Sequence, residues 1–149
     1  LVQDAAYTVT VPNVLPLTPH LMKNPVVAYV CDEIKKPYPF KANVAVGIDS
    51  VFADKVRMLH CHESQMYEWL PYNRGLKDVP KDAAGRLRWL AKQEMPRNAE
   101  VANRFRKLLK KLHGAGRGGR FKYAEALEIC EYGSPVTKEN FNTLFPFFR

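Results

Sequence analysis

The chain has 149 residues, 46% hydrophobic and 26% charged, which is the profile of one soluble globular domain. Its net charge of +8 suits an anionic partner, and no apolar run reaches the roughly 18 residues of a membrane span. Three cysteines, Cys31, Cys61 and Cys130, are odd in number and far apart. They argue against a disulfide framework and for thiols in a reducing cytoplasm.

The chain opens on "LVQDAAYTV", without Met and without the basic start and apolar core of a secretory signal. Residues 1–8 read as helix, and Leu1 is not expected to be the natural start. Four prolines in residues 11–25 require extended or turn backbone. "VVAYVC" (26–31) and "NVAVGI" (43–48) are apolar, β-branched runs that predict buried strands, with the two prolines of "KKPYPF" between them. Asp49 or Ser50 is placed to cap a helix. Its stripe runs Phe52, Val56, Leu59, His62, Met66 and Trp69, and Pro71 is expected to end it. A second helix is predicted from about Asp82 to Glu94, and Pro96 opens a third whose stripe is Val101, Phe105, Leu108 and Leu112. Gly114 stops that helix, "GAGRGGR" (114–120) reads as a flexible loop, and "FKYAEALEICEYG" (121–133) reads as a strand. The aromatic tail that follows should pack onto the body or onto a partner chain.

The densest chemistry lies in "LHCHESQ" (59–65). Residues two apart on a helix point about 200° apart, so His60 and His62 cannot grip one ion on a regular helix. His60 and Glu63 have ligand spacing, but two ligands are too few for zinc. His62, on the predicted stripe, is either a core histidine with both ring nitrogens bonded or a pocket wall. "GAGRGG" lacks the Gly-Lys-Ser/Thr of a phosphate loop, and no Gly-x-Ser-x-Gly elbow occurs.

The segment "VAVGIDSVFADKVRMLHCHESQMYEWL" resembles part of the PIG-L/LmbE-like family, zinc-dependent N-deacetylases of N-acetylglucosamine conjugates. Asp49, Lys55 and His62-Glu63-Ser64-Gln65 match its strand–Asp, helix-Lys and His-x-Ser-Gln features. Tyr123, Ala124, Glu125 and Ala126 match its "YAEAF", with Leu127 where Phe is usual. The resemblance runs in order over residues 1–133, with residues 80–113 as a helical enlargement. It implies an α/β fold, part of a Rossmann-like layered sandwich of helices around a mainly parallel sheet. It also implies a cytoplasmic amide hydrolase and an amino-sugar substrate. The family's His-Pro-Asp-Asp and His-x-x-His motifs do not occur, so zinc and the general base belong to the intact protein and this chain is expected to hold no metal. What the resemblance leaves for this chain is the substrate rim, with His62, Gln65, Tyr67 and Arg120 as the expected binding residues. The upstream half, or another chain, is expected to cover an open sheet edge.

A non-catalytic alternative rests on Arg104, Arg106, Lys107, Lys110, Lys111, Arg117 and Arg120, a basic segment suited to anionic partners. No nucleic-acid motif accompanies it, and nucleic acid is not the expected partner. A scaffold that keeps the fold without the chemistry is the third reading.

Overall fold

The computed structural model describes residues 1–35 and 37–148. They form a mixed α/β protein whose strands are β1 (Ala28–Val30), β2 (Val44–Gly47) and β3 (Ala124–Ile129), in the order β1-β3-β2. The chain divides into two compact units, Leu1–Ala45 with Ala126–Arg149, and Val46–Glu125. No helix among the described residues is long and apolar enough to cross a membrane.

The expected mainly parallel sheet is not what forms. β1 pairs antiparallel with β3, Ala28 opposite Ile129 and Val30 opposite Leu127. β2 also opposes β3, since Asn43 N donates to Leu127 O while Ile48 N donates to Tyr123 O. The physical reason lies in β3. Parallel strands are covered on both faces and read as continuous apolar runs. β3 is not such a run, since it carries Glu125 and Glu128 among its six residues and buries only Ala124 and Ala126. β1 is not a buried strand either, because Val30 is 66% exposed.

In the first unit, helix α1 (Val2–Thr8) forms as expected. The proline-rich segment ends on β3's continuation, where Ser134 N donates to Pro25 O and Cys130 N to Val27 O. The Tyr29 hydroxyl meets the buried Cys130 thiol at 3.0 Å. That hydrogen bond, then burial, pushes the phenol up to about 12. After β3, a Thr137–Asn140 capping box starts α7 (Lys138–Leu144). Phe141, Phe145, Phe147 and Phe148 then pack ring against ring.

The second unit carries the larger helices. A 3₁₀ turn, Asp49–Val51, leads into α2 (Phe52–His60). Neither Asp49 nor Ser50 caps α2; the Asp49 carboxylate instead accepts from Lys122 N at 3.0 and 3.1 Å. The chain breaks at Cys61 and His62, then makes a π-helical turn, Ser64–Trp69, continued by α3 (Leu70–Asn73). Pro71 does not end this run. It lacks the N–H that would bond Tyr67 O and its ring would crowd that carbonyl. The wider turn, in which Leu70 N donates to Gln65 O, accommodates it. The helix ends at Gly75, φ +66°, where Gly75 N donates to Tyr72 O and Leu76 N to Pro71 O, a Schellman closure.

Asp82 caps α4 (Ala83–Arg104) through Gly85 N at 2.7 Å. α4 is one helix of 22 residues, and Pro96 lies inside it rather than opening a new one. The buried positions Leu90, Glu94, Asn98 and Ala102 recur every four residues on both sides of Pro96. That continuous packing outweighs the lost backbone bond, a cost of about 3 kcal/mol. The core of this unit joins Ile48, Phe52, Val56, Tyr67, Trp89 and Leu90.

The break comes at Phe105, and α5 (Arg106–His113) ends at Gly114, φ +80°. The expected flexible loop is a short helix, α6 (Ala115–Arg120). Its glycines serve packing. A Cβ on Gly118 would lie 2.3 Å from Leu109 O, whereas one on Gly116 would meet nothing within 4 Å. Arg106 Nη1 donates to the carbonyls of Gly118, Gly119 and Phe121 and holds the α6–β3 corner shut. Two glycine-to-alanine changes should therefore diverge in urea unfolding. Gly116→Ala should stabilise by about 0.5–1 kcal/mol, and Gly118→Ala should destabilise by about 1–3 kcal/mol. Equal effects would contradict the packing of α6 on α5.

Candidate functional site

Lys55, on the half-buried side of α2, places its ammonium between two other elements. Its Nζ lies 2.8 Å from Asn98 Oδ1 on α4 and 2.7 Å from Glu125 Oε1 on β3. Asn98 is buried and its amide is spent inward, donating to Glu94 O at 2.8 Å and Glu94 Oε2 at 3.3 Å. Its orientation is thereby fixed, oxygen toward Lys55. An ammonium has three donors. Two are taken here, and no described residue takes the third.

Beside this bridge lies a recess of about 390 Å³. Ile48, Val51, Met58 and Leu59 form its apolar side, and Asp54, Lys55, His62 and Glu125 its polar side. The two segments that carry the PIG-L/LmbE resemblance thus meet. Asp49 bonds Lys122 N, Lys55 pairs with Glu125, and His62 stands at the same opening. Chemically the recess offers a hydrogen-bond donor in Lys55, carboxylate acceptors, and in His62 an imidazole able to pass a proton. Beneath it the Phe52 ring stacks on Tyr123, centroids 4.3 Å apart.

The expected binding residues do not gather at one place. His62 is exposed at the recess, so it is no core histidine. The helix break removes it from the stripe. Gln65 lines a different hollow, with Ser64, Glu68, Trp69 and Tyr72. Tyr67, expected at the substrate rim, is 5% exposed and belongs to the core. The π-helical turn rotates it inward and turns Trp69, assigned to the stripe, outward to 52% exposure. Arg120, the last residue of α6, is exposed and lines neither hollow. Reasoning from sequence missed Glu125 and Asn98 as site residues. The signal for Asn98 was available, since it falls four residues after Glu94 and eight after Leu90 on one helix face.

Tyr67 takes the role that His62 was offered, as the polar group of the core. Its hydroxyl meets His60 Nδ1 at 2.6 Å, and the Arg86 guanidinium lies 5.0 Å from its ring centre. Burial raises the phenol above its ordinary value, Arg86 opposes this, and Glu63 adds to it.

Among the described residues no three His, Cys, Asp or Glu side chains converge to hold a metal ion. The donor set of this chain does not fit zinc, which takes three or four ligands. No family model, curated protein or solved structure matches the chain.

Magnitudes separate the two halves of the lysine bridge. A hydrogen bond to a charged group contributes about 1.5–3 kcal/mol, and a solvent-exposed ion pair about 0.2–1 kcal/mol. Asn98→Leu should therefore cost more in chemical denaturation than Glu125→Gln, and the reverse order would contradict the buried role of Asn98. Tyr67 adds a pH signature. Its folded pKa is raised, so its contribution is complete below the ordinary value of 10.0 and is lost as pH rises through the raised one. The stability gap between wild type and Tyr67→Phe should narrow above pH 10, followed by urea midpoints. A gap that stays constant to high pH would show that the phenol is not preferentially neutral in the fold.

Proposed function

We propose that this chain is the C-terminal part of a zinc-dependent N-deacetylase of the PIG-L/LmbE kind, acting on the acetamide of an N-acetylglucosamine-type substrate. The observation that supports it best is the convergence of Lys55, His62 and Glu125, from two sequence segments about 70 residues apart, on one recess with an ammonium donor that no described residue takes. A resemblance resting on short motifs has no reason to close in space unless the segments share a surface. In this reading Lys55 donates to a substrate oxygen, His62 exchanges a proton at the opening, and Glu125 fixes the lysine. The metal ligands would come from the upstream half, and the antiparallel strands would form one edge of a layered α/β sandwich.

The binding-module reading has one observation of its own. Arg106 is consumed by carbonyls, while Lys107, Lys110, Lys111, Arg117 and Arg120 are exposed and make no ion pair among the described residues. Steep salt dependence of binding to an anionic polymer would favour it.

Acetate release from N-acetylated hexosamines decides between them, measured on the full-length protein after chelation and zinc addition. The deacetylase reading expects zinc-restored release, and a fall of about tenfold or more, near 1.4 kcal/mol of barrier, in Lys55→Met. No release with any N-acetylated hexosamine would overturn it.

A further inference from the structure

The net charge of this chain is concentrated in one segment. Residues 101–122 hold eight of its 23 Lys and Arg and no Asp or Glu, which leaves fifteen basic residues elsewhere against 15 acidic ones. The segment comprises α5, α6 and their flanks, all within the second unit. We propose that its surface binds double-stranded nucleic acid through the phosphate backbone, without reading sequence.

Three observations carry this. The first is the absence of counter-charges. Arg104, Lys107, Lys110, Lys111, Arg117 and Arg120 are exposed, and none makes an ion pair or donates a side-chain hydrogen bond to another described residue. A solvated helix face ordinarily mixes signs at i,i+3 and i,i+4. Here Lys107 meets Lys110 and Lys111 at those spacings, and Arg117 meets Arg120, so like charges repel in the unbound protein. The helix dipole favours basic residues in a last turn but opposes Lys107 at the start of α5. The second observation is continuity. A Cβ on Gly119 would lie 3.4 Å from Lys110 Cε, so the lysine of α5 lies along the helix that carries Arg117 and Arg120. The third is charge density. Lys107, Lys110 and Lys111 share about 6 Å of helix axis. A duplex presents one negative charge per about 1.7 Å, so a short stretch of it supplies a phosphate to each of the three.

The same surface argues against other anions. A helix that inserts into a bilayer keeps an apolar face for the lipid. Here Leu109 is fully buried, Leu108 and Leu112 are half-buried, and no large apolar side chain of residues 101–122 is exposed. None of the six cations lines the lysine recess or the hollow at Trp69, so they enclose no small anion there. Base reading is not built in either. Phe105 and Phe121 are half-buried, with the guanidinium groups of Arg104 and Arg117 at 5.0 and 5.8 Å from their ring centres. The expectation against nucleic acid rested on the missing motif, and a contact confined to phosphates needs none.

The assignment rests on the basic surface of the binding-module reading and is independent of the deacetylase. The experiment is fluorescence anisotropy of labelled DNA duplexes, of two unrelated sequences, with the full-length protein across a range of salt. Competitors are polyglutamate and phosphatidylserine vesicles. The expected result is saturable binding, equal for the two sequences, whose log affinity falls against log salt with a slope of about −3 to −5. The triple variant Lys107→Gln, Lys110→Gln, Lys111→Gln should weaken binding about tenfold or more and flatten the slope by about 2–3. Its thermal midpoint should hold or rise, because like charges have been removed. The triple variant Lys77→Gln, Lys81→Gln, Lys92→Gln removes the same net charge from the same unit and should change affinity less than about twofold. Equal weakening by the two triple variants would overturn the assignment, as would no saturable binding at about 50 mM salt. Displacement of the duplex by vesicles or polyglutamate at matched charge would also overturn it, while keeping the binding-module reading with another partner. Binding of none of the three would end both.

Discussion

The second unit is organised around where one ammonium group finds its acceptors. Lys55 carries a charge that is expensive to bury unpaired, and it is satisfied by α4 through Asn98 and by β3 through Glu125. Those two bonds reach across 43 residues on one side and 70 on the other, so a local segment cannot supply either. Asn98 can hold its orientation only because Glu94 takes its other end. The recess beside Lys55 is lined by the paired Lys55 and Glu125 together with His62.

Backbone irregularity does the remaining sorting. Pro71 cannot accept a regular helix before it, and the π-helical turn that results changes the angular count for every residue from Ser64 to Trp69. Tyr67 goes into the core against Trp89, while Gln65 and Trp69 go to the surface. His62, at the break, faces the lysine recess. One proline thus divides a motif that is continuous in sequence between two hollows and the core.

Much of the framework was legible because it depends on local rules. The β2 run, the helix start near Asp82 and the Gly114 stop are short-range signals, and each appears where its chemistry requires. β3 followed from an aromatic start after a glycine-rich segment. The failures share one cause, which is tertiary packing overriding a local preference. Pro96 stays within α4 because the buried stripe continues past it. The glycines of 114–120 form a helix because Gly118 must approach Leu109, a contact no composition reveals. Carrying 100° per residue across the Cys61–His62 break put His62 on the stripe, and the family resemblance put Tyr67 at the rim, whereas His62 is exposed and Tyr67 lies in the core. The expected mainly parallel sheet came from the family-like motifs, whereas the two glutamates of β3 interrupt the continuous apolar run that a parallel strand carries.

The direct test of the shared surface is a charge exchange between Lys55 and Glu125. Unfolding free energies would be measured for Lys55→Glu, Glu125→Lys and the double variant. The account predicts that each single change destabilises by setting like charges side by side, and that the double variant recovers the part of the loss that belongs to the ion pair but not the bond to Asn98, whose oxygen is held toward residue 55. Additive losses in the double variant would show that the two side chains do not meet, and the single recess built from the two segments would not exist.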